Sequence, residues 1–343
     1  MNRILALFPG QGSQHVGMGK DLFDNFAIAR ETFEEASDSV GLNLKKLCFD
    51  GPESDLILTE HTQPCLLTVS VAAFRVAQKE LGFKPAAAAG HSLGEYSALV
   101  AAGALPLGTA ARWVRERGAA MQRAVPAGQG TMAAVLSLDD SVIEKLCARA
   151  TERALEKRAA ATDSELTVDA VVQAANFNAP GQLVIAGSTD AVAEAVALIK
   201  EGNEFPGGKA IPLQVSAPFH CSLMRPARDR MASLFAGATA AEKPHALAFP
   251  YIPNRTARQT QEPGLVFELL IEQVDHPVLW KQSMAGALQE GFTHAVEFGP
   301  GKVLAGLMKR IGQAENRACP VTGLSDAASL KAVEILWKGA PAS

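Results

Sequence analysis

Along the chain, short continuous apolar runs alternate with longer segments whose apolar residues return every three to four positions. The first rhythm is that of strands buried on both faces, the second that of amphipathic helices. Arg3 to Phe8 predicts a buried strand, closed by the turn-rich Pro9-Gly10-Gln11-Gly12-Ser13-Gln14 and followed by a helix from near Met18 through Phe33. Thr62 to Leu81 is a long apolar-periodic helix, broken by Gly82 and Pro85. Pro85 to Ala89 predicts a second strand, Tyr96 to Ala102 a helix closed by Gly103, and Leu107 to Ala124 a further helix.

After Pro126-Ala127-Gly128-Gln129-Gly130 the pattern changes. It gives a strand at Thr131 to Leu136, a helix capped by Asp139-Asp140 and running to about Ala150, and strands at Ala170 to Asn176 and Leu183 to Ala186. A helix at Thr189 to Lys200 and a strand at Lys209 to Gln214 follow. The order β-α-β-β-α-β is the ferredoxin-like arrangement, a compact small domain. Within it, Thr151 to Asp169, rich in Ala, Glu, Arg and Asp, reads as a surface extension, helical at first and with no catalytic part. Beyond it the main domain resumes. A loop from Val215 enters a helix near Arg228, Phe249 to Pro253 is a strand, and Phe267 to Val274 and Val278 to Glu290 are helices. Thr293 to Phe298 is the last strand, turned by Gly299-Pro300-Gly301-Lys302 into the helix Val303 to Ile311. The fold class is therefore α/β, with residues 1–128 and 216–343 forming a large domain and 129–215 an inserted small one.

Composition narrows the setting. A chain of 343 residues, 48% apolar and 20% charged, suits a globular protein with a large core. A net charge of −4 gives no general reason to expect nucleic acid as a partner. Five scattered cysteines without a Cys-x-x-Cys pair argue against a disulfide framework and a metal site, and for a reducing compartment. Met1 to Leu7 is too short for a signal peptide. No apolar run approaches the ~18–20 residues of a membrane span, so no membrane association and a cytoplasmic location are expected.

Candidate chemistry centres on Gly90-His91-Ser92-Leu93-Gly94, a Gly-x-Ser-x-Gly between predicted strand and helix. That context forms a nucleophile elbow, which pushes Ser92 out of the backbone and points the Leu93 amide at charge developing on an attacked carbonyl. The alternative is a helix start with Ser92 as an ordinary cap. The glycine loop around Gln11 leaves a strand's carboxyl end, where ligands gather in α/β sheets. It serves equally as a structural turn, and it lacks the Gly-Lys-Ser/Thr of a P-loop. On the helix Leu107 to Ala124, Arg117 falls on the apolar face with Ala110, Val114 and Met121, opposite Arg112, Glu116 and Arg123. Its stem snorkels to the surface, it pairs with a buried carboxylate, or it binds an anionic group of a substrate. His220 lies in the loop that re-enters the main sheet, as a base or as a structural histidine.

Six stretches stand out together: Phe8-Pro9-Gly10-Gln11-Gly12-Ser13-Gln14, Gly90-His91-Ser92-Leu93-Gly94-Glu95-Tyr96, Arg117-Gly118-Ala119-Ala120-Met121-Gln122, Asn176-Phe177-Asn178-Ala179-Pro180-Gly181-Gln182, His220-Cys221-Ser222-Leu223-Met224 and Gly299-Pro300-Gly301-Lys302-Val303-Leu304. In this combination the chain resembles the malonyl-CoA:acyl carrier protein transacylases and the related acyltransferase domains of polyketide synthases. The match covers nearly the whole chain, with the segment 151–169 longer than is usual. The resemblance implies an α/β-hydrolase-like large domain carrying the ferredoxin-like one. It implies Ser92 as nucleophile, His220 as general base, the amides of Gln11 and Leu93 as oxyanion hole, and Arg117 as partner of the malonyl carboxylate. Gln273 takes the position whose backbone carbonyl orients the histidine, so no acidic triad member is assigned. The implied partners are malonyl-CoA as substrate and acyl carrier protein as acceptor, with no cofactor and a monomeric state. Phe219 beside His220 resembles the malonyl-selecting members, where it leaves less room for an α-methyl group. Competing readings are a stand-alone polyketide acyltransferase, a serine thioesterase or hydrolase, and a non-catalytic carrier-protein scaffold; the scaffold needs none of Ser92, His220 and Arg117.

Overall fold

A computed structural model describes residues 3–161 and 166–338. Nine strands among them, β1 (Ile4–Phe8), β2 (Ala87–Gly90), β3 (Gly130–Leu136), β4 (Val172–Ala179), β5 (Gln182–Ser188), β6 (Lys209–Pro212), β7 (Tyr251–Ile252), β8 (His294–Phe298) and β9 (Val321–Leu324), form two sheets. One is five-stranded, in the order β7-β2-β1-β8-β9, with every pair parallel. The other is four-stranded and antiparallel, in the order β4-β5-β3-β6. This is a mixed α/β fold with a parallel sheet at its centre.

The unbroken apolar run of β1 follows from its place in the middle of that sheet. Leu5 and Leu7 face a cluster with Ala87, Ala89 and Trp280, while Ile4, Ala6 and Phe8 face one with Phe33, Leu66 and Phe74. All five residues are buried, and each large apolar side chain so buried contributes ~1.5–3 kcal/mol. Helix Thr59–Leu81 packs closely against helix Leu107–Arg123 beneath one face. A Cβ on Gly118 would fall 2.5 Å from the Thr59 carbonyl, so the two backbones meet there without an intervening side chain.

Several sequence expectations need correction. The single helix expected from Met18 to Phe33 is two, Lys20–Asn25 and Ala27–Val40, parted at an extended Phe26. Carbonyls freed by the break are taken up by Arg30, whose Nη1 donates to Phe23 O at 2.9 Å and Asp24 O at 3.2 Å. β8 is not the last strand: β9 pairs outside it. This edge strand is four residues long and mostly half-buried, too short and mixed to show a period. The helix expected to reach about Ala150 and the start of the extension, expected to be helical, are one continuous helix, Asp140–Ala160. Its later turns are tied to helix Thr189–Glu201, Arg153 to Glu201 at 2.7 Å and Arg158 to Asp190 at 2.6 Å. Within the segment 151–169, residues 162–165 lie outside the described residues.

The small sheet meets the large part at the segment that precedes helix Trp280–Gln289. Phe177 N donates to Val278 O, and Val278 N to Ala175 O, both at 2.9 Å. All five cysteines are free and buried. Among the described residues no helix is long and apolar enough to cross a membrane.

Candidate active site

Ser92 stands two residues past β2, at the carboxyl edge of the parallel sheet. Its φ of 51° is left-handed, a conformation that costs a non-glycine residue of order ~1–3 kcal/mol. Neighbouring contacts hold it there. The Ser92 amide donates to Asn254 Oδ1 at 2.6 Å, and Asn254 Nδ2 donates to Gly90 O at 2.6 Å. A Cβ on Gly94 would strike the Phe8 carbonyl, so only glycine lets the elbow helix Gly94–Ala101 lie against the end of β1. That helix begins on Leu93, without a side-chain cap bond, so Ser92 is not a helix cap.

The Ser92 hydroxyl instead meets His220, with Oγ and Nε2 2.7 Å apart. His220 Nδ1 lies 2.8 Å from the backbone carbonyl of Gln273. A carbonyl only accepts, so Nδ1 carries the proton and Nε2 is left with a lone pair for the serine O–H. His220 is buried, again with a left-handed φ, of 61°. Burial, reinforced by the charge of Arg117, pushes its pKa down to about 3, so the imidazole is neutral and ready to take a proton. A cleft of about 250 Å³ borders its other side, lined by Gln173, Ser222, Arg225, Arg228, Asp275 and His276 among others.

Arg117 completes the group. Its side chain is 1% exposed, which rules out snorkelling. Nη1 donates to Gln63 Oε1 at 2.9 Å, and Nη2 to Gln273 Oε1 at 2.9 Å and to Ser92 Oγ at 3.1 Å. Nε is buried with no hydrogen-bond partner among the described residues. Among the described residues no carboxylate forms an ion pair with this guanidinium. A buried cation held by neutral groups alone, one of them the serine hydroxyl, is an arrangement an anion entering at Ser92 would complete.

The loop carrying Gln11 leaves β1 beside the elbow, since His91 N donates to Phe8 O at 3.0 Å. Gln11 is exposed, and its side chain reaches Thr59 Oγ1 at 3.4 Å. Among the described residues, the backbone amides of Gln11 and Leu93 form no hydrogen bond. Both remain available to an incoming oxygen.

Sequence reasoning missed four contributors. Gln63 is a buried polar residue inside an apolar helix, a signal it left unused. Asn254 lies two residues past the end of β7, without any motif to mark it. Glu95 lies in the elbow motif yet was given no role; it is wholly buried and accepts from Gln273 Nε2 at 2.7 Å and Asn254 N at 2.9 Å. His91 is held over Trp280 and lies 2.8 Å, through Nε2, from Asn178 Oδ1 on the small sheet. A larger groove of about 780 Å³, running from Ala305 to Val321, contains none of these residues. Among the described residues no three His, Cys, Asp or Glu gather to hold a metal.

The chain's comparisons point the same way. A family model described as acyl transferase domain matches residues 6–327. The chain is 43% identical over 311 residues to the malonyl CoA-acyl carrier protein transacylase of Escherichia coli K12, covering 91% of this chain and 93% of that one. A crystal structure of acyl-carrier-protein S-malonyltransferase from Burkholderia pseudomallei superposes with a TM-score of 0.85 at 41% identity, covering 97% and 99% of the two chains. A malonyl-transacylase in complex with a type II PKS acyl-carrier protein superposes with a TM-score of 0.84 at 38% identity, over 96% and 98%.

Proposed function

The chain belongs to the acyl transferase domain family, and from that premise we propose that it moves malonyl groups from coenzyme A to the phosphopantetheine thiol of acyl carrier protein, for fatty acid synthesis. The observation that carries this reading is the meeting of Arg117 with the Ser92 hydroxyl, a buried cation beside a serine already bonded to a neutral histidine.

In the first half-reaction Ser92 Oγ attacks the malonyl thioester carbonyl while His220 Nε2 takes its proton. The carbonyl oxygen becomes an oxyanion between the amides of Gln11 and Leu93, and the Gln273 carbonyl steadies the imidazolium through Nδ1–H. Collapse breaks the carbon–sulfur bond. The CoA thiolate leaves with the proton from His220, and malonyl remains esterified to Ser92. The second half-reaction is the mirror image: the carrier thiol gives its proton to His220 and attacks the ester, the acyl–Oγ bond breaks, and His220 returns the proton to Ser92 Oγ. Throughout, Arg117 holds the malonyl carboxylate bidentately in a site of low dielectric. The half-buried Phe219 beside His220 supports malonyl over α-methyl acyl groups. Nucleophile, base, oxyanion donors and cation all come from the chain, and the reading calls for no metal or cofactor.

On the same footing we read the parallel sheet as an α/β-hydrolase-like domain of residues 1–128 and 216–343, and the antiparallel one as an inserted ferredoxin-like domain of 129–215. The order β-α-β-β-α-β over β3 to β6 supports it. Five free buried cysteines support a cytoplasmic location. We take the enzyme to act as a monomer, since every group the reaction uses lies in one chain. The complex with a type II PKS carrier favours a second reading of the acceptor, in which the thiol belongs to a polyketide carrier protein.

Malonyl-CoA mixed with the enzyme alone is expected to release one equivalent of CoA in a burst and little thereafter, with turnover resuming on addition of holo-acyl carrier protein. Continuous release of malonate without carrier would identify a hydrolase instead. Comparing holo-carriers from fatty acid and polyketide systems as acceptors separates the two pathways.

A further inference from the structure

Behind the elbow lies a carboxylate that the mechanism above does not use. Glu95, three residues past Ser92, has no solvent exposure and, among the described residues, no ion-pair partner. A buried carboxyl without a salt bridge is costly even where, as here, neutral donors and the nearby charge of Arg117 favour its ionised form, and acyl transfer itself requires no acid here. Its contacts are specific. Oε2 accepts from Gln273 Nε2 at 2.7 Å and from the Asn254 amide at 2.9 Å, while Oε1 is buried with no partner among the described residues. The two donors are the braces of the site: Asn254 holds the Ser92 amide, and Gln273 holds both His220 and Arg117.

A glutamine amide has a donor end and an acceptor end, and packing alone hardly distinguishes them. The Gln273 amide sits between two opposite demands. Arg117 only donates, so it requires Oε1; the far side must then present an acceptor to Nε2. Glu95 Oε2 is that acceptor, assisted by the Ser92 carbonyl at 3.0 Å. Burial pushes Glu95 up to about 7, and the arrangement tolerates its protonation. With both Oε2 sites filled by donors, a proton belongs on the unpartnered Oε1, and Oε2 still accepts.

We propose that Glu95 is a positioning residue for malonyl selection: it fixes the Gln273 side-chain amide so that Oε1 faces Arg117, and thereby aims the guanidinium at the substrate carboxylate. The proposal rests on the reading of Arg117 as the carboxylate's partner. It predicts a defect specific to anionic acyl groups, which a residue that merely braces the fold would not give.

The test is the single-turnover rate of Ser92 acylation by malonyl-CoA and by acetyl-CoA. Glu95→Leu takes the shortest acceptor away from Gln273 Nε2, which loosens the orientation of its amide. Misaiming of this kind is expected to lower malonyl acylation by about 10- to 100-fold with a much smaller change for acetyl. Glu95→Gln is expected to keep most of the malonyl rate, because the Asn254 amide holds the new side-chain oxygen in the place of Glu95 Oε2. Because Glu95 acts through Gln273, Glu95→Leu added to Gln273→Leu should slow malonyl acylation no further than Gln273→Leu alone. Equal loss for both acyl groups in Glu95→Leu, or losses that multiply in the double variant, would overturn the proposal. If Glu95→Leu fails to fold by near-UV circular dichroism, Gln273→Leu decides: an undiminished preference for malonyl overturns it. Arg117→Ala run alongside separates the two levels, since a malonyl preference that survives it removes the reading of the site on which the proposal stands.

Discussion

At the scale of single residues, the site is built on the contrast between a histidine kept neutral and an arginine kept charged in one buried space. Arg117→Ala removes charge-assisted hydrogen bonds worth ~1.5–3 kcal/mol. Its kcat/KM for malonyl-CoA is expected to fall by about 10- to 100-fold, and acetyl transfer to hold or rise; steady-state assays with the two acyl-CoAs read this directly. The same substitution bears on pH. Arg117 is one of the causes that lower the His220 pKa, so its loss raises that pKa, although burial, the larger cause, keeps it below 6.5. In the wild-type protein His220 stays neutral down to about pH 3, so the acid limb of acetyl acylation lies far below an ordinary histidine's. In Arg117→Ala that limb is expected to move upward, toward 6.5. Rate–pH profiles of the two proteins check the direction, and a downward shift would contradict it.

At the scale of elements, the elbow depends on strand, turn and helix meeting with no side chain between them. Gly94→Ala places a methyl group against the Phe8 carbonyl, a backbone atom that has little freedom to yield. Overpacking of this kind costs ~1–3 kcal/mol or more. The variant is expected to melt several degrees lower and to lose Ser92 acylation, measured by thermal unfolding and burst amplitude; unchanged values for both would refute the close approach. This region was also the most legible in the chain. Ser92, His220 and Arg117 were picked out by a motif, a loop position and a charge on an apolar stripe, all local signals. Gln63, Asn254 and the role of Glu95 were not, because a buried polar residue takes its meaning from partners far along the chain. Glu95 meets Asn254 and Gln273, more than a hundred residues away in sequence. Elements failed for a different reason. The break at Phe26 and the short edge strand β9 are tertiary choices, made by Arg30 capping and by pairing outside β8, and neither leaves a period in the sequence.

At the scale of the whole molecule, two sheets of different kinds are linked by a side-chain contact at the serine's turn and by a loop. The small sheet reaches the elbow through Asn178 and His91, and it joins the large part through Val278. His220 sits on the chain that returns from β6. Ser92 therefore precedes the strands of the small sheet in the chain and His220 follows them, and Gln273 binds both Arg117 and His220 from a third segment. The central claim is that this assembly stores an acyl group on Ser92 and passes it to a thiol. Intact-protein mass spectrometry after mixing with malonyl-CoA tests it most directly. One malonyl adduct is expected, mapped to Ser92 by peptide analysis, absent from Ser92→Ala and discharged on adding holo-acyl carrier protein. An adduct that persists in Ser92→Ala, or one that holo-carrier leaves in place, would contradict the account.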